Sequence, residues 1–465
     1  MLNREELQKI EDQNIAKIEK TNPESLETEP YIENSDYLEK IGIFIDKEDR
    51  ETADGFIKLW PEDFVVEEIN KSGKIVSILS DGGKNKKFDP KSKYSKINLV
   101  KCNIGTLEAI SDIASRLNID KKTIRHSGLK DFDAITSQNL SIKTNSLIDG
   151  LEKIKSDYFF IKDLEATNRP LSPGELKGNQ FTILIRTNLN EKSINGIKKS
   201  ISDIQKNGFW NYYYTQRFGN NGRINGHLLG KLFIEEKYEE AFKKFITEAP
   251  DASNKLIKGI YKQVSEEYGN WKNIENLMSP YPITFERELN MVRFLINNPD
   301  DFLGAVNAQE NEIKLWVLGF ASWLFNLKLS EFEKNKEIPP KEIPLITSNE
   351  TSDQEIYFDT LEIIGMKKEK IDFNKLNDFN VQRAKYPVET KKSVEIKNVL
   401  LAPQGLIFQF SLDKGSYATT FLSHVINLVS GKIPENFSRE RVDITKAVGR
   451  ESIVPLTEQF RRVIK

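Results

Sequence analysis

The order in which hydrophobic periodicity changes along the chain constrains its fold more than any other feature. The early part carries short, β-branched runs with the two-residue period of strands: Phe64-Val65-Val66-Glu67-Glu68-Ile69, then 75–79, 138–143 and 181–186. Pro170-Leu171-Ser172-Pro173-Gly174 introduces the last of these as a turn. Between them, Thr106 is expected to cap a helix whose apolar positions are Leu107, Ile110, Ile113, Ala114 and Leu117. From residue 210 the period becomes helical, through 227–248, 286–297 and 311–330, with polar linkers over 331–355. Strand character returns at 393–412, and 417–429 predicts a helix. Sheet, helices and sheet again imply one α+β domain interrupted by an inserted domain. The expected divisions are an acidic N-terminal extension over 1–54, a sheet domain over 55–209 and 396–430, an insertion over 210–395, and a C-terminal extension over 431–465.

Composition narrows the class of protein. No apolar run reaches the roughly 18 residues of a membrane-spanning helix, and the start, Met1-Leu2-Asn3-Arg4-Glu5-Glu6, lacks the layout of a signal peptide. A single cysteine, Cys102, excludes an internal disulfide, and the scattered His126, His227 and His424 have no metal-ligand spacing. A cytoplasmic, metal-free protein is expected. With 68 basic and 70 acidic side chains, a nucleic-acid partner must be met by local rather than global positive charge. Residues 1–50 hold seven Lys/Arg against fourteen Asp/Glu. By contrast, 84–101 holds Lys84, Lys86, Lys87, Lys91, Lys93, Lys96 and Lys101 against the single Asp89. Such a run is either a solvated loop or a surface for phosphates.

One loop suggests chemistry: His126-Ser127-Gly128-Leu129-Lys130-Asp131, in which a glycine permits a sharp turn and a carboxylate directly follows a lysine. Taken alone it suits an exposed loop equally well. Its company is what distinguishes it. Lys58-Leu59-Trp60-Pro61-Glu62-Asp63-Phe64-Val65-Val66-Glu67-Glu68 precedes it. The loop itself continues through Ala134-Ile135-Thr136-Ser137-Gln138. Gly178-Asn179-Gln180-Phe181 follows, then Asn211-Tyr212-Tyr213-Tyr214-Thr215-Gln216-Arg217-Phe218-Gly219, then Ser322-Trp323-Leu324-Phe325-Asn326 and Gly415-Ser416-Tyr417-Ala418-Thr419. In kind and order, from 55 to 430, these segments resemble the motifs of the TruD-type tRNA pseudouridine synthases.

The resemblance implies a pseudouridine synthase catalytic domain, a mixed, largely antiparallel sheet with flanking helices. It also implies an interrupting TRUD domain, mostly helical, over 210–395. It implies an RNA-binding isomerase that converts uridine to pseudouridine in tRNA, at uridine 13, with no cofactor. Asp131 is then the nucleophile, against the sugar or C6 of a uridine flipped out of its stack. Lys58 is the positive charge that keeps a carboxylate ionised, with Lys130 and Gly128 in the same loop. Phe181 would stack on the extruded base and Asn179 would fix the loop or the base, although alternation with Ile183 and Ile185 also suits Phe181 to a core. Glu67, Arg217 and Phe218 are expected to support the site. Two departures stand out: Phe132-Asp133 replace residues commonly basic in the family, and Gly319-Phe320-Ala321 stand where Ala-Tyr-Gln is usual. The alternatives are a catalytically inactive RNA-binding or tRNA-remodelling protein of the same fold, and a hydrolase using Asp131.

Overall fold

The computed structural model describes residues 4–47, 51–79, 92–143, 154–219, 223–346, 355–367 and 387–464. It divides into two compact units: Met1–Glu48 with Trp210–Lys391 and Ser430–Lys432, and Asp49–Phe209 with Lys392–Val429 and Ile433–Lys465.

The second unit is built on one mixed sheet. Its strands are β1 (Asp54–Phe56), β2 (Phe64–Asn70), β3 (Tyr94–Cys102), β4 (Ile124–His126), β5 (Ile135–Lys143), β6 (Phe159–Thr167), β7 (Leu176–Arg186), β8 (Glu395–Ala402), β9 (Gly405–Asp413) and β10 (Asn427–Ser430). Across the sheet the order is β8-β9-β7-β2-β5-β3-β6, with β4 on β5. Only β2–β5 and β10–β1 run parallel among these pairs; the rest are antiparallel. Register puts Val66 opposite Phe181 and Thr136, and Phe181 opposite Phe410. Alternation therefore places Phe64, Val66, Glu68, Asn179 and Phe181 on one face, with Val65, Glu67 and Gln180 on the other. Gly178 is needed in β7 because a Cβ there would lie 2.0 Å from the Leu412 carbonyl oxygen of β9.

On the first face, helix α1 (Thr106–Leu117) packs Ala109, Ile110 and Ile113 against Ile97, Leu99 and Leu140. Gly105, not Thr106, occupies its N-cap. The opposite face is closed by the C-terminal segment, whose Ile444, Ile453, Leu456 and Phe460 pack on Val65, Val100, Ile135 and Leu184. The chain's end is thus part of the sheet unit's core rather than an extension.

Two strand and helix expectations fail for local reasons. At 75–79 only an isolated Ile69–Ile75 bridge forms, because Ile78 N–H donates to the Glu67 carboxylate (3.0 Å) instead of a ladder carbonyl. At 417–429 the helix is confined to Ala418–Ser423, and the chain then leaves as β10 alongside β1.

The first unit is helical and also takes in the N-terminus. Its helix Arg4–Thr21 presents Glu11, which accepts from Ile283 N–H (2.7 Å), Thr284 N–H (3.0 Å) and the Thr284 hydroxyl (2.5 Å). The expected 227–248 helix is two, Gly226–Ile234 and Tyr238–Thr247, separated where Glu236 adopts φ 62°. The long helix Glu310–Lys334 buries Phe320, Ala321, Leu324 and Phe325 completely. Gly230 allows close approach to it, since a Cβ there would meet the Trp316 carbonyl oxygen at 2.1 Å.

Candidate active site

The loop between β4 and β5 is held to the sheet by groups acting on its backbone. Gln138 of β5 donates to Gly128 O (3.0 Å). The Thr106 hydroxyl, freed from capping, accepts from Lys130 N–H (3.1 Å) and donates to Gln138 Oε1 (3.0 Å). Lys101, fully buried on β3, donates to Asp131 O (2.6 Å) and to Ile104 O (2.8 Å). These contacts fix the Asp131 main chain and leave its carboxylate partly exposed.

The carboxylate meets Lys58. Lys58 Nζ lies 2.7 Å from Asp131 Oδ1, with side-chain exposures of 18 % and 31 %. Lys58 adopts φ 62°, a left-handed conformation uncommon for a non-glycine residue and frequent at functional sites. Its ammonium also stands 4.3 Å from the Phe64 ring centroid. Asp131 Oδ2 accepts no hydrogen bond among the described residues, so one oxygen is oriented and the other is available.

Beneath Lys58 runs an aromatic floor. The Phe64 ring meets Phe181 edge-on (6.2 Å, 75°), and Phe181 stacks on Phe410 (5.2 Å, 18°). Phe181 is 4 % exposed. In this conformation its ring is core, as alternation with the buried Ile183 and Ile185 allowed. Asn179, opposite Glu68 in register, has a buried Oδ1 with no partner among the described residues. Such an oxygen is costly unless a ligand satisfies it. Lys130 turns away from solvent, its Nζ 3.2 Å from Glu68 Oε2, with both side chains buried. Glu68 also accepts from Asn139 N–H (3.3 Å). Lys130 therefore anchors the loop to β2. A Cβ on Gly128 would meet nothing closer than 3.9 Å.

Glu67 lies on the other face. Fully buried, it takes two hydrogen bonds from Arg450 (2.6 and 2.7 Å), one from Gln180 (3.0 Å) and one from Ile78 N–H. Its neighbours in the same motif also bind the C-terminal segment. Arg441 donates to Glu62 (2.6 Å). Asp63 accepts two bonds from Arg186 (2.8 Å each), and Arg186 donates to the Ser438 and Glu440 carbonyls (2.7 and 2.9 Å). The Pro-Glu-Asp-Phe-Val-Val-Glu run thus divides its work: Phe64 serves the site, and the acids Glu62, Asp63 and Glu67 hold the back of the sheet.

Arg217 and Phe218 belong to the helical unit. Arg217 lies over the Tyr213 ring at 4.7 Å, and buried Phe218 packs edge-on to His227 at 5.4 Å. That segment is pinned by buried Asn326, which accepts from Tyr213 N–H (2.9 Å) and donates to Tyr213 O (2.8 Å) and Ile41 O (2.9 Å). Of the basic run, Lys84, Lys86, Lys87 and Lys91 lie outside the described residues. Lys101 is buried beneath Asp131 and is no phosphate contact. The signal for it was its place on the same strand face as Ile97 and Leu99, where a lysine needs a buried partner. Thr106 carried no comparable signal, and Gln138 stood in the quoted motif without an assigned role.

The family model for tRNA pseudouridine synthase D (TruD) matches residues 40–341, a span that holds Lys58, Lys101, Asp131, Asn179 and Phe181. The Methanocaldococcus jannaschii protein named "Probable tRNA pseudouridine synthase D 1" is 28 % identical over 390 residues, covering 80 % of this chain and 95 % of its own. The Methanococcus maripaludis "Probable tRNA pseudouridine synthase D 2" is 36 % identical over 202 residues, 42 % of this chain and 48 % of its own. In fold, the chain matches the crystal structure of the "Putative tRNA pseudouridine synthase D (TruD)" of Methanosarcina mazei with a TM-score of 0.62, at 23 % identity, covering 83 % of this chain and 97 % of that one. No helix among the described residues is long and apolar enough to cross a membrane. With the family match running over well more than half of its length, the chain belongs to the TruD family, tRNA pseudouridine synthase D.

Proposed function

We propose that the protein isomerises uridine 13 of tRNA to pseudouridine in the cytoplasm, with Asp131 as nucleophile. The observation that carries this reading is the Lys58–Asp131 pair at 2.7 Å on a loop whose backbone is fixed by buried groups. The N1–C1′ bond breaks, the base turns, C5 bonds to C1′, the C5 proton leaves and N1 ends protonated. No electron donor or acceptor enters that balance. Asp131 Oδ2 attacks the sugar or C6 of the flipped nucleotide while Lys58 holds Oδ1. Asn179 Oδ1 is the acceptor offered to the N3–H of the base. Phe64, buried under the Lys58 ammonium and backed by Phe181, makes the apolar wall that shields the ion pair from water on the sheet side. The test is to incubate a tRNA transcript with the protein and map pseudouridine. Product at position 13, lost when that uridine is replaced by cytidine, is expected; product elsewhere removes the site assignment, and none removes the activity.

Lys101 gives the reaction a pH dependence. Burial pushes its ammonium down to about 8, Asp131 opposing that shift and Lys130 and Lys58 adding to it. Above that pH Lys101 becomes neutral, its hydrogen bonds to the Asp131 and Ile104 carbonyls weaken, and the turn that places the carboxylate loosens. The single-turnover rate is expected to decline on the alkaline side with a midpoint near the Lys101 value of about 8. Lys101→Met should be slower at neutral pH and lack that midpoint. A profile with the same alkaline midpoint in both proteins would assign it to another group.

A further inference from the structure

The loop that carries Asp131 also displays Leu129 and Phe132, which are 63 % and 51 % exposed on either side of Lys130-Asp131. A single exposed apolar side chain needs no explanation. These two bracket the nucleophile on a loop whose backbone is bonded at Gly128 O, Lys130 N–H, Asp131 O and Phe132 O, the last accepting from Ala134 N–H at 2.9 Å. Their exposure is therefore built into a fixed turn. Asp133, also exposed, would repel phosphates, so this edge is poorly suited to gripping an RNA backbone.

Extruding a uridine leaves a gap in the base stack and costs free energy. Apolar side chains that enter a stack offset that cost, and a ring restores stacking on the neighbouring base. The dimensions agree. Adjacent Cα atoms are about 3.8 Å apart, and successive bases are about 3.4 Å apart along a strand. A ring one residue beyond the carboxylate thus lies within one or two base steps of a nucleotide held on Asp131.

We infer that Phe132, flanked by Leu129, is a wedge that enters the RNA base stack and holds the target uridine out. The inference rests on the proposed pseudouridine synthase activity of the same loop. It turns the Phe132-Asp133 departure from the usual basic residues into a different way of engaging RNA: insertion in place of phosphate contact.

The test compares single-turnover pseudouridine formation by the full-length protein and by Phe132→Ala, Phe132→Trp and Leu129→Ala. Two folded tRNA transcripts are used, one natural and one with an abasic nucleotide beside the target, where stacking is already broken. On the natural transcript Phe132→Ala should lose about 10- to 100-fold in rate, Leu129→Ala less, and Phe132→Trp should stay within about 3-fold of wild type. On the abasic transcript the Phe132→Ala deficit should shrink to a few-fold, which a merely structural defect would not do. Equal deficits on both transcripts, or none on either, overturn the wedge while leaving the activity standing. A wild-type protein that makes no pseudouridine in either RNA removes the activity and the wedge with it.

Discussion

Asp131→Asn is expected to abolish pseudouridine formation, lowering the single-turnover rate by at least about ten-thousand-fold, with the fold and tRNA affinity retained. The contrast follows from how the loop is held. Lys101 grips the main-chain oxygen of Asp131, and Thr106 grips the amide of Lys130; neither bond involves the carboxylate. The amide keeps the shape of the side chain and an oxygen for Lys58, but it has no charge and no nucleophilic oxygen. Removing an acidic group beside RNA phosphates should leave binding unchanged or tighter. Mapping by reverse-transcription stops checks the product, and filter binding checks the affinity. A variant that binds poorly would recast Asp131 as a contact for the RNA.

The largest stability effect is expected at the back of the sheet. Arg186 and Asp63 are completely buried and joined by two hydrogen bonds, while Arg186 also satisfies two carbonyls of the C-terminal segment. Arg186→Met would leave a buried carboxylate without its charge partner, held by the Trp60 N–H alone, and two carbonyls unpaired, at a cost of about 3–5 kcal/mol. Replacing both members, as Arg186→Met with Asp63→Leu, should recover much of it, because the uncompensated charge is then gone. The loss also depends on pH. Burial raises the Asp63 carboxyl above its ordinary range, with Arg186 opposing the shift. Without Arg186 the folded-state value rises further above the unfolded one, so the folded protein binds the extra proton and its stability falls as pH rises through that interval. The deficit of Arg186→Met should therefore shrink as pH is lowered from neutrality toward the unfolded carboxylate range. Hydrogen exchange over 433–464 in the two variants checks this, since the sheet unit need not unfold together with the helical unit. Wild-type protection of that segment in Arg186→Met would contradict it.

How much of this was legible in the sequence depends on where each residue's constraint originates. Lys58 and Asp131 could be singled out because each lies in a short local motif, and the fold brings the two together. The mixed sheet and the helical interruption could be read because strand and helix periods differ. Lys101 is hidden among surface lysines because a run of like residues masks the one on a core-facing strand position. Thr106 was expected to serve its own helix, yet a hydroxyl at a helix start can equally face a neighbouring loop, and only the packing of α1 on β3 and β5 decides. The C-terminal segment was opaque for a related reason. Ile444, Ile453, Leu456 and Phe460 follow no long regular period, and their burial comes from Arg441 and Arg450 meeting acids hundreds of residues earlier. Phe181 shows the reverse case: alternation alone assigned it to the core, and its stack on Phe410 puts it there.

Whether Asp131 drives isomerisation of a tRNA uridine is decided by following the C5 hydrogen. That hydrogen leaves once for each pseudouridine formed, so a tRNA transcript made with uridine tritiated at C5 reports the reaction as release of label to water. Wild-type protein in excess is expected to release the label of one uridine per tRNA, and Asp131→Asn, folded and binding the same RNA, to release none. No release by the wild type, or release by the variant at the wild-type rate, would contradict it.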